Sequence, residues 1–480
     1  VIPHSDLRAG VLALGIVCSL SPVAAPCAEP FGSAARLTLP RQQLSAAATA
    51  SPDGAPGGET IPGQSVILGS SPASSGTGLR GYIQGEAART YGDPAHTSKL
   101  LTRAELSAQG RINPDIKWKL SARLDYDAVY DVTNFYPADV RRDQRFNLTA
   151  RENYLDVAAG GWDLRLGRQH VVWGEIVGLF FADVVSPKDM REFLLPEFDV
   201  LRIPQWAARA EYSWEKYHAE LLWIPVPTYD RIGKPGADFF PPPPPVPTGF
   251  ATQYAGDATP ARSLSKTNYG VRGSTLQNGW DLSAFYYRSM DASPTFYRQV
   301  VFAPAPAVVF EARHDRISQF GSTLGKDFGS VVLKAEAIYT RGRQFNVLRA
   351  ADPDGVVPQT TLDWVTGLDF SIDGGTRLNL QLFQRVHFDH DPDLIPKRRE
   401  SGYSAYVTRE LTDNVEAQIL WIASLDRKDR LLRPRVTWKP EQNWRLAAGV
   451  DIFQGPPLGF FGRFANRDRA YIEVRKAPEK

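Results

Sequence analysis

The sequence is poor in cysteine and in long apolar runs, and each shortage excludes something. Cys18 and Cys27 are its two cysteines, both within the first 28 residues. The rest of the chain can hold no disulfide framework, no cysteine zinc site and no thiol nucleophile. Lys and Arg number 55 against 53 Asp and Glu. No strong basic field results, so nucleic acid is not an expected partner. Beyond the N-terminus no run of 18 apolar residues occurs, which excludes a helical membrane span there. The patterns G-x-S-x-G, H-E-x-x-H and C-x-x-C are missing, and no serine stands out beside His170, His218 or His314. The chain is therefore not expected to be an enzyme, nor to hold a cofactor or resident metal.

What is present is segmental. Arg8, the apolar stretch Val11 to Leu20, and the small residues around Ala25 and Ala28 predict a secretory signal over 1–28. Residues 29–78 are rich in Ala, Ser, Gly and Pro without periodicity, as in Ser51 to Gly58, and read as a flexible low-complexity segment. From about residue 79 the period becomes two. Ile116, Trp118, Leu120, Ala122, Leu124 and Tyr126 fall on one face, and Lys117, Lys119, Ser121, Arg123 and Asp125 on the other. A helix would need spacings of three and four. Apolar-out, charged-in alternation also explains a mean hydropathy of -0.29 in a membrane protein, because half of the strand residues of a barrel face a polar lumen.

The same alternation recurs at 206–212, 362–372, 377–382, 432–438 and 444–452. Candidate strands start near 80, 97, 116, 145, 162, 204, 216, 267, 280, 308, 328, 360, 376, 400, 414, 429, 443 and 467. Short turns such as Gly160-Gly161 and Asn278-Gly279 alternate with long loops such as 173–203 and 226–266. Tryptophans fall near the two ends of these strands, with none expected mid-strand, as two interfacial girdles would place them. The predicted fold is all-β: a transmembrane, antiparallel, up-and-down β-barrel of about 16–18 strands over 79–476. A polar tail at 477–480 follows it.

The stretch Arg168-Gln169-His170-Val171-Val172-Trp173-Gly174-Glu175 resembles an R-Q-x-V-x-W-G-E signature. Its bearer is an uncharacterised family of proteobacterial outer-membrane proteins, known by a domain-of-unknown-function label. Phe461 to Phe464 and Asp468 to Arg475 are similar to the last hairpin of that family. The resemblance covers most of the barrel region and implies an outer-membrane barrel linked to envelope transport. Such barrels usually end on an aromatic residue, whereas here Lys476 to Lys480 follow the last strand.

Several groups of residues are candidates for function. The loop at 173–203 carries Glu175, Asp183, Asp189, Glu192, Glu197 and Asp199 together with Leu179, Phe180 and Phe181. It either folds into the lumen as a constriction or packs outward on its neighbours. A bulge near Gly167 would turn Arg168 and His170 inward and let Arg168 pair with Glu175. Arg433, Arg435, Arg445, Arg469 and Arg475 form an inward basic stripe, with Arg377 and Arg385 further round the wall. Facing an acidic loop, the stripe either sets a transverse field across a pore or is salt-bridged within the wall. His387, Asp389, His390 and Asp391 suggest a divalent ion or, more simply, a surface loop. Pro241 to Pro245 form a stiff spacer or a partner site.

Three functions fit such a chain in the bacterial outer membrane. The first is a porin-like or transport barrel passing or exporting small or amphipathic molecules. The second is a non-conducting accessory barrel that exchanges lipid or hydrophobic cargo with an inner-membrane exporter. The third is an outer-membrane lipid hydrolase. Expected partners are outer-membrane lipids, the barrel assembly machinery and, for the transport readings, a periplasmic or inner-membrane transport partner.

Overall fold

The alternation in Ile116–Asp127 becomes a strand with two opposed faces. Ser121, Arg123 and Asp125 are buried, while Leu120 is 54% and Leu124 36% exposed. Charge inside and leucine outside inverts the pattern of a soluble protein and suits a wall between lipid and a polar lumen. The computed structural model describes residues 78–174, 176, 182–372 and 375–478. The predicted signal, nearly all of the low-complexity segment, and Glu175, Leu179, Phe180 and Phe181 lie outside the described residues.

Among the described residues the strands are, in chain order, β1 (Gly78–Thr90), β2 (His96–Asn113), β3 (Ile116–Asp127), β4 (Phe146–Ala159), β5 (Trp162–Gln169), β6 (Gln205–Trp214) and β7 (Tyr217–Ile224). They continue with β8 (Ala251–Ala258), β9 (Asn268–Gln277), β10 (Trp280–Met290), β11 (Thr295–Val301), β12 (Ala307–Arg313), β13 (Arg316–Asp327) and β14 (Val331–Asn346). The last are β15 (Val356–Ile372), β16 (Thr376–His387), β17 (Arg399–Thr412), β18 (Val415–Ser424), β19 (Arg430–Trp438), β20 (Trp444–Gln454) and β21 (Arg469–Lys476). An 18-stranded sheet takes all but β8, β11 and β12. Consecutive wall strands pair antiparallel, and β1 closes the barrel on β21, with Ile83 opposite Lys476 and Thr90 opposite Arg469. At one end the turns are tight. Asn278 and Gly279 both have positive φ, as the two-residue hairpin between β9 and β10 requires.

The structure corrects four expectations. The strand expected from residue 308 is two strands. Ala307–Arg313 leaves the wall for a three-stranded sheet with β8 and β11, and the wall resumes at Arg316. Phe296, Val308, Phe310 and Ala312 bury together in that sheet, so the local alternation is satisfied away from the lumen. No bulge interrupts β5: Gly167 pairs in regular register with Tyr154 and Ala207. The shift lies instead between β3 and β4, where Arg151 and Glu152 together oppose Ser121. Gly167 is required for another reason. Its φ is 132°, and a Cβ there would stand 2.3 Å from the Asn153 carbonyl oxygen. Trp364 sits eight residues from either end of β15, outside any girdle. Trp173 is fully buried, whereas Trp162, Trp206, Trp214, Trp223 and Trp438 are exposed on the outer face.

The apolar clusters inside the barrel form around an inserted segment. Val171, Trp173, Ala182 and Val185 pack on Ala207, Leu222, Ile224, Phe285 and Ile338 of the wall. Phe193 and Leu195 pack on Val365, Phe383, Ile422, Leu431 and Phe453 of the opposite wall.

Candidate functional site

The segment that follows β5 turns into the lumen and crosses it. Alternation decides its entry. Gln169 shares a face with inward Arg165, is buried, and donates from its side-chain amide to the Ala207 carbonyl at 3.0 Å. Trp173 then inserts, donating from Nε1 to Glu220 Oε1 at 3.0 Å, with its ring 5.0 Å from that of Phe285. Gly174 lies so close to the wall that a Cβ there would meet Glu336 Oε1 at 3.1 Å. Glu336, on β14, accepts backbone N–H groups from Ile176 at 2.8 Å and Ala182 at 2.9 Å. One buried carboxylate thus ties both Ile176 and Ala182 to β14.

Further on, charge seats the segment. Asp183 accepts from Arg202 Nε at 2.9 Å, and Asp189 accepts two bonds from Arg191 at 2.8 and 2.6 Å. Glu192 meets Lys99 of β2 at 2.6 Å and Arg469 of β21 at 3.6 Å. Glu197 meets Arg445, Arg475 at 3.4 Å and Arg435 at 3.8 Å. Arg433 donates to the carbonyls of Leu194 at 3.2 Å and Leu195 at 2.8 Å. Further round the same wall, Arg123 of β3 donates to the Val200 carbonyl and Arg151 of β4 to that of Arg202. Phe193 takes a φ of 55°, unusual for a bulky residue, inside the cluster of Phe453, Phe461 and Phe464.

The electrostatics follow from this packing. Burial alone would raise the Glu197 carboxyl, but the guanidinium groups of Arg445, Arg435 and Arg475 override it and hold it down to about 2. Burial likewise opposes the Glu192 charge, and Lys99 and Arg469 hold that carboxyl down to about 2. Between the segment and the β2–β3 wall a cavity remains. Lys99, Arg103, Arg123 and Asp125 line it from the wall, and Arg191 and Glu192 from the segment.

The sequence-derived candidates sort clearly. Arg433, Arg435, Arg445 and Arg469 meet the inserted segment. Arg433 and Arg469 also share Asp451, at 2.7 and 2.9 Å. Asp183 and Asp189 lie inside the segment and pair within it. Arg377 is exposed at the short-turn end of β16, opposite Ser371 and Thr408, away from the segment. Arg168 corrects the reading. With no bulge at Gly167 it keeps the parity of Leu164 and Leu166 and pairs with exposed Trp206, so it belongs to the outer face. His170 does turn inward, beside Arg151. The proposed partner Glu175 lies outside the described residues. Asp391 of the His/Asp group pairs with Arg349 at 2.7 Å, while His387 and His390 stack edge to face. Lys99, Arg123, Arg151, Glu220 and Glu336 were missed as seats. All turn inward, but only the parity of Arg123 was legible in a clean alternation; Arg151 sits at the bulge of β4, where simple parity fails.

A family model described as "Protein of unknown function (DUF1302)" matches residues 43–476. The chain belongs to the DUF1302 family. No curated protein matches this DUF1302 chain. Among solved structures it is similar to OccAB2 of Acinetobacter baumannii, with a TM-score of 0.50 and 11% identity over 85% of this chain and 99% of that one. It is also similar to OmpF of Salmonella typhi, with a TM-score of 0.44 and 11% identity over 84% and 97%. A loop-deletion mutant of OmpT from Vibrio cholerae gives a TM-score of 0.41 and 9% identity over 84% and 99%. At such identities the likeness to OccAB2 speaks for a porin-like barrel fold and for nothing finer.

Proposed function

We propose that this chain is an outer-membrane transport barrel in which residues 170–204 restrict passage to small polar or amphipathic solutes. The observation that carries this reading is the seating of one segment against opposite walls of the lumen. It divides the lumen and leaves a cavity lined by both signs of charge beside β2 and β3. Paired charges of both signs orient dipolar solutes better than they select simple ions. Planar-bilayer recording tests the reading. The parent is expected to conduct weakly, and removal of residues 182–200 to raise the single-channel conductance several-fold. Equal conductance would mean that the segment does not restrict the pore.

A second reading draws on the phenyl cluster of Phe193, Phe239, Phe453, Phe461 and Phe464. An apolar floor beside the segment suits a non-conducting barrel that hands lipid-like cargo to a periplasmic or inner-membrane partner. Absence of any conductance, together with binding of a fluorescent fatty acid, would favour it. On either reading the chain's partners are outer-membrane lipids and the machinery that assembles barrels there.

A further inference from the structure

Many lumen arginines are answered by carboxylates: Arg103 by Asp125, Arg385 by Asp363, Arg433 by Asp451. Three arginines clustered on one stretch of the outer face are not. Arg288 of β10 donates to Ser318 Oγ at 2.8 Å. Ser318 of β13 is the cross-strand partner of both Arg288 and Arg341, so the three share one face in one row. Arg316, two residues before Ser318 on the same face, donates to the carbonyls of Thr267 and Ser265 at 2.8 and 2.6 Å. Those bonds leave its charge uncancelled. Neighbouring Asp315 turns instead to the Tyr297 hydroxyl. Among the described residues no carboxylate forms an ion pair with Arg288, Arg316 or Arg341. One step toward the middle of the wall lies a row of rings. Tyr286 and Phe320 pair with centroids 4.7 Å apart, and Tyr339 is the next partner of Phe320.

We infer that Arg288, Arg316 and Arg341 bind the phosphate groups of a membrane lipid at the long-loop rim, with the lipid's acyl chains on Tyr286, Phe320 and Tyr339. This rests on the reading of the barrel as embedded in the outer membrane, where the long-loop end faces the outer leaflet. Guanidinium forks match phosphate oxygens in pairs, and charge near the interface costs little on a lipid-facing wall. A ring row below a cationic row matches an amphiphile: phosphate above, hydrocarbon below. The occupant is therefore a phosphorylated glycolipid of the outer leaflet rather than a free anion, which would leave the ring row without a role.

The test has two arms. Insertion into phosphatidylcholine vesicles, followed by protease protection, examines the membrane reading alone. Failure to insert overturns that reading and the site with it. In the second arm, the protein folded in detergent is titrated with diphosphoryl lipid A, and retained lipid is counted by native mass spectrometry. The triple variant R288Q/R316Q/R341Q is expected to bind at least about tenfold more weakly than the parent. Arg409→Gln, on the outer face at the short-turn end, is expected to bind like the parent. Equal retention by the triple variant, in a chain that inserts normally, overturns the site alone. So does displacement of lipid A by equimolar inorganic phosphate.

Discussion

The inserted segment rests on two seats made of different forces. Against β6, β7, β10 and β14 the seat is apolar, with Trp173, Ala182 and Val185 buried and Glu336 as its fixed acceptor. Against β2, β3 and β19 to β21 it is ionic beside an apolar patch, with Glu192 and Glu197 set among Lys99, Arg435, Arg445, Arg469 and Arg475, and Phe193 and Leu195 packed on Leu431 and Phe453. The apolar seat depends on buried area and has little direction. The ionic seat has direction and a dependence on pH. A segment held by both can loosen at one end while staying anchored at the other.

The largest effect is expected from Trp173→Ala. Emptying a buried indole site costs about 3–5 kcal/mol and strands Glu220 without its donor. Hydrogen exchange of residues 182–200 should rise sharply, while the wall strands stay protected. Unchanged exchange would show that the ionic seat alone holds the segment. Next comes a control on the wall itself. Leu120→Arg should lower folding yield into lipid vesicles by about 2–4 kcal/mol, and Ser121→Arg by much less, because Leu120 faces outward and Ser121 inward. Equal yields would place the strand in the wrong register.

Glu197→Gln attacks the ionic seat. It leaves Arg475 without its carboxylate and weakens the hold on Arg435 and Arg445, which keep Glu473 nearby. The local loss should be about 1.5–3 kcal/mol, seen as faster trypsin cleavage after Lys188 and Arg191 with the barrel intact. The mildest test is acid. Glu192 and Glu197 have folded-state values near 2, below the usual carboxylate range, so their stabilisation is full above about pH 4.5. It should fade as pH falls from there through about 2. Pepsin, which works in that window, should cut increasingly around Phe193 to Leu195 as pH falls, while hydrogen exchange at Trp173 and Ala182 stays slow. Simultaneous loosening of both seats would merge them into one unit.

Much of this was legible in the residues, because a strand's period of two leaves each side chain one of two faces. The alternation of Ile116–Asp127 and its counterparts determined the wall, its approximate strand count, the inward stripe of Arg433, Arg435, Arg445 and Arg469, and the inner position of Arg123. Tight turns such as Asn278-Gly279 determined which end carries the long loops. Tertiary structure decided what no local period encodes. Whether 170–204 points in or out depends on contacts between residues far apart in sequence, such as Glu197 with Arg445 and Ile176 with Glu336. The departure of 307–313 from the wall depends on Phe296 and Phe310 burying each other. The face taken by Arg168 turned on a bulge that formed on β4 rather than at Gly167, since a glycine reports freedom in φ but not which neighbour crowds it. Periodicity sets a side chain's face; only the closed barrel sets what it meets there.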